Sequence, residues 1–226
     1  MAPNYTYSFF RVSKTDGIEA SAQQYRDLRL KALQTSPESF SSTYAIESAF
    51  SDADWIDRLT VPDREVFICA ATPTNPSPSS PFEVQWVGQV TIRGPASRTD
   101  FELPLEAEQP PQRSDEEEER WQMLSLFTLP EHRFNGLGGK ICQEAIEYLR
   151  SYRTFPREVQ IRLIVKAGND ITVQLYRRLG FSHAGRATLV EALIANGDEH
   201  LISQDRNSPM YHDRQGMIMI MRVSRS

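Results

Sequence analysis

The chain has 226 residues and a net charge of −5, and 39% of its residues are hydrophobic. This length favours one domain and allows a sizeable core, with about 70% of the unfolded surface buried on folding. A mean hydropathy of −0.48 and the lack of a long apolar run exclude a transmembrane helix, and the first residues lack the features of a secretory signal. Two cysteines argue against a disulfide scaffold, so we expect a reducing, cytoplasmic location.

The predicted elements alternate between strands and helices. In chain order they are a strand over Tyr5–Val12, helices over Ala20–Leu33 and Asp52–Leu59, strands over Val66–Ala71, Val84–Ile92 and Trp121–Leu129, a helix over Lys140–Tyr152, a strand over Val159–Val165, a helix capped by Asn169, and strands over Leu189–Ile194 and Met217–Val223. This order predicts a single α/β domain over residues 1–226, with a mostly antiparallel front and a βαβ unit.

Two segments differ in composition from the rest. Residues 72–81 are rich in proline and serine and predict a long loop within a hairpin. Residues 94–120 contain nine acidic residues and three arginines and are expected to be an acidic, partly mobile insertion. Its run Asp115–Glu119 is interpreted as a solvated surface, with attraction of a cationic substrate as the alternative. Because the remaining chain is nearly neutral, we expect neither nucleic acid nor a membrane as a partner.

The segment Leu126–Lys140 runs from an apolar strand through a glycine-rich turn into a helix. Glycines let a backbone approach a ligand closely, and the first N–H groups of a helix have no acceptor within the helix. These N–H groups and the helix dipole favour an anion, and Arg133 and Lys140 add positive charge. The segment therefore predicts a site for a phosphate or a pyrophosphate.

Two common phosphate-binding motifs do not fit this segment. A Walker A loop would require glycine at Phe134 and a magnesium-binding hydroxyl at Ile141. The dinucleotide-binding fingerprint would begin at Gly136, would also require a small residue at Ile141, and belongs in a βαβ unit that opens the chain. The phosphate-bearing ligand must therefore be of another kind.

The segment does contain the pattern R-x-x-G-x-G at residues 133–138, and Asn169–Phe181 follows with the pattern N-x-x-T-x-x-L-Y-x-x-x-G-F. Together these resemble motifs A and B of the GNAT superfamily of acetyl-CoA-dependent N-acetyltransferases. Tyr25–Phe40 also resembles the substrate-side helix of many small-molecule members. The chain departs from the family pattern at Thr172, where alanine is usual, and at Phe134-Asn135, where Gly-Lys or Gly-Arg is frequent.

The resemblance implies the GNAT fold, of α/β (α+β) class: a central mixed, mostly antiparallel twisted sheet flanked by helices, with splayed strands around a βαβ cofactor site. It implies acetyl-CoA as co-substrate, no metal, and Tyr176 as the general acid that protonates the departing thiolate, a role that suits a group with a pKa near 10. The implied cofactor contacts are Leu126 and Thr128 with the pantetheine arm, Arg133, Phe134, Asn135, Gly136, Leu137, Gly138, Gly139 and Lys140 around the pyrophosphate, and Asn169 and Tyr176.

The sequence does not identify the residue that acts as general base. Family members that acetylate amines of high pKa often have a glutamate where this chain has Gln122, and an amide cannot accept the proton. Glu119, Glu47 and His183 are the alternatives, acting directly or through water. An aromatic or other amine of low pKa would need no strong base.

We therefore expect an N-acetyltransferase that transfers the acetyl group of acetyl-CoA to a primary amine of a small molecule, by direct attack in a ternary complex. The alternatives are an acetyltransferase acting on a protein N-terminus or lysine, and a non-catalytic acyl-CoA-binding regulatory module. We expect a monomer or a homodimer. Neither the acceptor amine nor the role of residues 94–120 follows from the sequence.

Overall fold

The computed structural model describes residues 4–74, 84–202 and 209–225. Its strands are β1 (Tyr5–Arg11), β2 (Arg64–Pro73), β3 (Gln85–Ala96), β4 (Glu118–Thr128), β5 (Glu158–Lys166), β6 (Ser182–Ala187) and β7 (Gly216–Ser224). They form one sheet in the order β1-β2-β3-β4-β5-β7-β6. Neighbouring strands are antiparallel except β4 and β5, which are parallel. The predicted mixed, mostly antiparallel sheet is confirmed.

Helices cover both faces of this sheet. They are α1 (Ile18–Thr35), α2 (Tyr44–Glu47), α3 (Asp52–Thr60), α4 (Arg98–Phe101), α5 (Leu137–Ser151), α6 (Asp170–Leu179), α7 (Leu189–Asn196) and α8 (Pro209–His212). Helix α5 packs on β2, β3 and β4, whereas α1 and α3 pack on each other and on β3 and β2. Every residue from Arg64 to Ala71 is buried, and because successive side chains of a strand alternate between faces, both faces of β2 are covered. Across the described ranges, no helix combines the length and the apolar character needed to span a bilayer.

The helix and hairpin predictions agree with the structure because local signals specify them. The two apolar runs pair as the hairpin β2–β3, with Phe67 opposite Val90. Residues 75–81 of the predicted loop lie outside the described residues. Helix α3 begins with a capping box between Ser51 and Asp54, in which each side chain accepts a hydrogen bond from the other's backbone N–H.

Strand β4, helix α5 and strand β5 form the βαβ unit. The parallel pairing starts at Glu118 and Glu158 and ends at Gln122 and Arg162, although β4 continues to Thr128 and β5 to Lys166. The two strands therefore diverge toward their C-terminal ends. Within the described residues, the edge of β4 that faces β5 is left without a strand partner beyond Gln122, and a cleft opens there.

The prediction of a strand over Leu189–Ile194 is wrong, because this segment is the helix α7. A short apolar run does not distinguish a buried strand from a buried helix, and the decisive signals lie at its ends. Thr188 and Glu191 form a capping box, and Gly197 closes the helix with a left-handed φ of 76°. The strand of this region lies earlier in the chain, as β6.

Residues 94–120 have defined structure between β3 and β4. Strand β3 continues to Ala96, the short helix α4 follows, and Phe101 and Ala107 are buried. The Arg162 guanidinium on β5 donates hydrogen bonds to the Phe101 carbonyl at 2.6 Å and to Gln109 Oε1 at 2.7 Å, so the segment packs against the sheet.

The interpretation of Asp115–Glu119 as a solvated run is wrong for its last two residues. Glu118 and Glu119 begin β4 and are 0% and 3% exposed. They are buried because arginines from distant parts of the chain, Arg222 and Arg225, neutralise them.

Candidate active site

A cavity of about 840 Å³ occupies the cleft between the diverging strands β4 and β5. Its walls are the C-terminal half of β4, the turn that leads into α5, the end of β5, one face of α6, and the segment Ser36–Phe40 that follows α1. A cleft of this size outside the carboxyl ends of parallel strands is a common place for a ligand in α/β proteins.

Nearly all sequence-predicted cofactor contacts meet in this cavity. The lining includes Leu126, Thr128, Arg133, Phe134, Gly136, Leu137, Gly138, Gly139, Lys140, Asn169 and Tyr176. The exception is Asn135, whose side-chain amide turns back and donates to the carbonyls of His132 and Arg133 at 3.1 and 3.2 Å. Asn135 therefore stabilises the turn rather than lining the cavity.

The turn before α5 presents free backbone N–H groups to the cavity. Gly136 is the N-cap residue, with φ 72°, and no side chain caps the helix start. The first helical hydrogen bond runs from the Lys140 N–H to the Gly136 carbonyl at 3.2 Å. At position 138 a Cβ would lie 3.2 Å from Leu175 Cδ1 of α6, so the turn and α6 approach each other closely there. The uncapped helix start lines the cavity and can bind an anion.

Four cationic side chains line the same cavity, namely Arg133, Lys140, Lys166 and Arg178. Arg133 already has partners, since its Nε donates to the Thr128 carbonyl at 3.0 Å and its Nη2 to Ser36 Oγ at 3.3 Å. Lys166 forms an ion pair with Glu38 at 2.5 Å. The contacts of Arg133 with Ser36 and of Lys166 with Glu38 therefore connect the Ser36–Phe40 segment to the glycine turn and to the end of β5.

Strand β4 carries a bulge where it lines the cavity. Ser125 has a φ of 59°, a left-handed conformation that is uncommon for a residue other than glycine. Two side chains hold it: Gln89 Nε2 donates to the Ser125 carbonyl at 3.3 Å, and Arg29 Nη1 donates to Ser125 Oγ at 3.4 Å. Arg29 is fixed in turn by Glu47, at 2.6 Å. Strained backbone that surrounding side chains support in this way is typical of functional sites.

Tyr176 projects from α6 into the cleft. Its ring packs edge-on against Phe181, with centroids 5.6 Å apart, and its side chain is 6% exposed. Burial raises the pKa of Tyr176 well above 10, so the hydroxyl stays protonated at neutral pH. Asn169 caps the same helix, because its Oδ1 accepts the Thr172 N–H at 3.4 Å.

The structure does not bring Glu119 to this cavity, and its assignment as a possible base is corrected. Glu119 lies near the start of β4, about 20 Å along the strand from Leu126. Its carboxylate bonds to Arg225, Arg153 and the Trp121 indole N–H. It therefore has a structural role in the core.

The other residues considered for the base also lie outside the cavity lining. Glu47 is fully buried, and although burial opposes it, the Arg29 guanidinium holds the pKa of Glu47 below its usual range. Gln122, which cannot act as a base because it is an amide, also lies outside the lining and accepts a hydrogen bond from Arg162 Nε at 2.8 Å. His183 is exposed on β6.

The cavity contains a histidine that the sequence analysis did not single out. His132 is 1% exposed, and its Nδ1 is hydrogen-bonded to the Tyr7 hydroxyl at 3.1 Å. Burial lowers the pKa of His132, which keeps the ring neutral at pH 7. The only local sequence signal for His132 is that it precedes Arg133. Its partner Tyr7 lies in the first strand, too far along the chain to be linked to it from sequence. No group of His, Cys, Asp and Glu suited to a metal ion occurs within residues 4–74, 84–202 and 209–225.

Comparison with known proteins relates one region of this chain to a protein family. The model of the acetyltransferase (GNAT) family matches residues 98–181, which run from α4 to the residue before β6. A comparison with curated proteins gives no match.

Three acetyltransferases are among the similar solved structures. Arabidopsis thaliana NAA60 in complex with acetyl-CoA is 16% identical, with a TM-score of 0.53 over 96% of this chain and 99% of that chain. Spermidine N-acetyltransferase of Vibrio cholerae, with CoA and spermine, is 10% identical, with a TM-score of 0.51 over 97% and 95%. The ribosomal-protein-S18-alanine N-acetyltransferase of Escherichia coli is 12% identical, with a TM-score of 0.51 over 98% and 96%.

At these identities the structural similarity concerns the fold. The sheet and its helices have the GNAT fold, and residues 98–181, which contain the glycine turn and Tyr176, match the family itself. Residues 98–181 therefore form a region that matches the acetyltransferase (GNAT) family, within a chain that has the GNAT fold.

Proposed function

We propose that this protein transfers the acetyl group of acetyl-CoA to a primary amine. The observation that carries this proposal is the cleft between β4 and β5, which ends at the uncapped, glycine-lined start of α5. It offers an extended backbone edge and an anion site in one cavity, and the pantetheine and pyrophosphate parts of CoA require these two features together.

The residues present fit the co-substrate. The backbone N–H groups from Phe134 to Gly139 would bind the pyrophosphate, because they precede the first helical hydrogen bond of an uncapped helix start. The unpaired edge of β4 at Leu126 and Thr128 would hydrogen-bond the pantetheine amides as an added strand does. Asn169 caps α6 beside this path and would limit the width of the cleft.

The chemistry assigned to the chain is direct transfer. Acetyl-CoA supplies a thioester whose carbonyl carbon is attacked by the amine nitrogen as the carbon–sulfur bond breaks. A backbone N–H at the β4 bulge would stabilise the charge that develops on the carbonyl oxygen, and Gln89 and Arg29 would hold that bulge in place. Tyr176 would donate its proton to the leaving sulfur.

The acceptor must lose a proton, and this limits its chemistry. An amine with a pKa of about 10.4 costs roughly 4.6 kcal/mol to deprotonate at pH 7, whereas an α-amino group with a pKa of about 7.7–8.0 costs roughly 1 kcal/mol. Within the described chain, the cavity lining includes no carboxylate, and His132 is its neutral titratable base. We therefore favour a small-molecule amine of low pKa, with a peptide N-terminus as the second candidate because its α-amine meets the same requirement.

The test is thiol release from acetyl-CoA with a panel of amines. The panel contains an aromatic amine, amino acids, spermidine, and one peptide with a free and with a blocked N-terminus. Release with a small amine of low pKa supports the first proposal, and release with the free but not the blocked peptide supports the second. If acetyl-CoA binds and no amine releases thiol, the chain is a non-catalytic acyl-CoA-binding module and the proposal is wrong.

A further inference from the structure

Two large apolar side chains stand in solvent at the cavity. Phe134, in the glycine turn, is 97% exposed, and Ile171, in the first turn of α6, is 79% exposed. Both line the cavity, on different walls. Single exposed apolar residues need no explanation, but two such residues on different walls of one ligand cavity offer an apolar surface that a ligand can cover.

The backbone of Phe134 adds a second, independent observation. Its φ is 65°, in the left-handed region that a bulky aromatic residue rarely adopts and that glycine adopts without strain. Packing does not explain the phenylalanine, since its ring is exposed. The chain thus keeps an unfavourable residue in a conformation suited to glycine, and this points to a function for the ring.

The position of Phe134 identifies the part of the ligand that it meets. It precedes by two residues the N-cap Gly136, where the pyrophosphate is proposed to bind. In CoA the adenosine is bonded directly to this pyrophosphate, so the adenine must lie close to the same turn. Lys140 and Arg178 line the cavity as well and add positive charge for the phosphates.

The geometry points to Phe134 as a stacking surface for the adenine of CoA, with Ile171 packing against the nucleotide from the α6 wall. This inference rests on the proposed use of acetyl-CoA. Stacking of a base on an aromatic ring is favourable and tolerant of geometry. Phe134 therefore selects the complete CoA molecule over a pantetheine thioester that lacks the nucleoside.

The test compares binding of two probes, acetyl-CoA and acetyl-4′-phosphopantetheine, by calorimetry. The variants are Phe134→Gly, which removes the ring and relieves the backbone, and Phe134→Trp, which keeps an aromatic face. The matched control is Leu105→Ala, because Leu105 is 95% exposed and lies outside the cavity lining. Thermal unfolding of each protein without ligand provides a readout that does not depend on activity.

We expect Phe134→Gly to weaken acetyl-CoA binding about tenfold, to leave acetyl-4′-phosphopantetheine binding unchanged, and not to lower Tm. Phe134→Trp and Leu105→Ala should both bind acetyl-CoA as the wild type does. Equal loss for both probes would mean that the substitution only loosens the phosphate turn, and unchanged acetyl-CoA binding would also overturn the inference. If the wild type itself binds no acetyl-CoA, the proposed function fails instead.

Discussion

Replacing Tyr176 by phenylalanine separates catalysis from folding, because the structure gives the hydroxyl no other task. Within the described residues the hydroxyl has no hydrogen-bond partner, while the ring packs against Phe181. Removing the hydroxyl therefore leaves no described group unsatisfied. We expect a change in unfolding free energy within about 1 kcal/mol, or roughly 2–4 °C in Tm for a chain of this size.

The expected effect on turnover is much larger. General acid catalysis contributes about 10²–10⁴-fold, or roughly 2.7–5.5 kcal/mol of barrier. The raised pKa of Tyr176 keeps the hydroxyl protonated over the usual assay range, so the loss of kcat should be the same from pH 7 to pH 9. Acetyl-CoA affinity should change less than about threefold, because the phosphates and the backbone edge supply the binding contacts.

The assay is thiol release with the fastest amine of the panel, combined with calorimetric titration of acetyl-CoA. Tyr25→Phe is the matched control, since Tyr25 is also buried, at 2% exposure, and lies outside the cavity lining. A kcat within twofold of the wild type would remove Tyr176 from the acid role. An equal loss in Tyr25→Phe would show that the assay reports folding.

Three further predictions follow from the buried polar groups. Glu119→Gln leaves Arg225 as a buried charge without its carboxylate, so it should lower the free energy of unfolding by about 3–5 kcal/mol. Denaturant unfolding measures this loss, and kcat of the folded protein should be unchanged. A loss of kcat at full stability would return Glu119 to the list of candidate bases. Gln89→Leu removes the donor to the Ser125 carbonyl and should lower kcat more than it raises KM for acetyl-CoA. A change in KM alone would contradict the proposal that the β4 bulge stabilises the charge on the carbonyl oxygen. Folding lowers the pKa of His132, so the unfolded chain binds the extra proton and stability is lost as the pH falls below about 6.5. His132→Phe should therefore lose less stability than the wild type between pH 7 and pH 5, measured by urea unfolding. Parallel curves of unfolding free energy against pH for the two proteins would refute this.

Local patterns were sufficient to predict most of the fold. A continuous apolar run and an alternating one predicted β2 and β3 as a hairpin, and helical periodicity with an N-cap predicted α6 after Asn169. Both signals lie within short windows of sequence. The error at α7 arose where an apolar run was too short for its period to be decisive, and the capping box of Thr188 and Glu191 was the better guide.

The candidate site was predictable where a contiguous motif builds it. The glycine turn places consecutive residues in the cavity, because a strand end and a helix start hold them together. Glu119 and His132 were not predictable in this way, since their environments depend on partners far along the chain. Arg225 pairs with Glu119 across the whole βαβ unit, and Tyr7 reaches His132 from the first strand.

Binding of acetyl-CoA to this cleft is best tested by thermal unfolding with acetyl-CoA, NAD and ATP, on the wild type and on Gly138→Trp. At a concentration about 100 times Kd, a bound ligand adds roughly 2.7 kcal/mol, or about 5–11 °C in Tm for a chain of this size. We predict this shift with acetyl-CoA alone, and its loss in Gly138→Trp, because Gly138 lines the cavity and an indole there would occupy the space where the pyrophosphate is proposed to bind. The same shift with NAD or ATP, or none with acetyl-CoA, would contradict the assignment of the cavity to CoA.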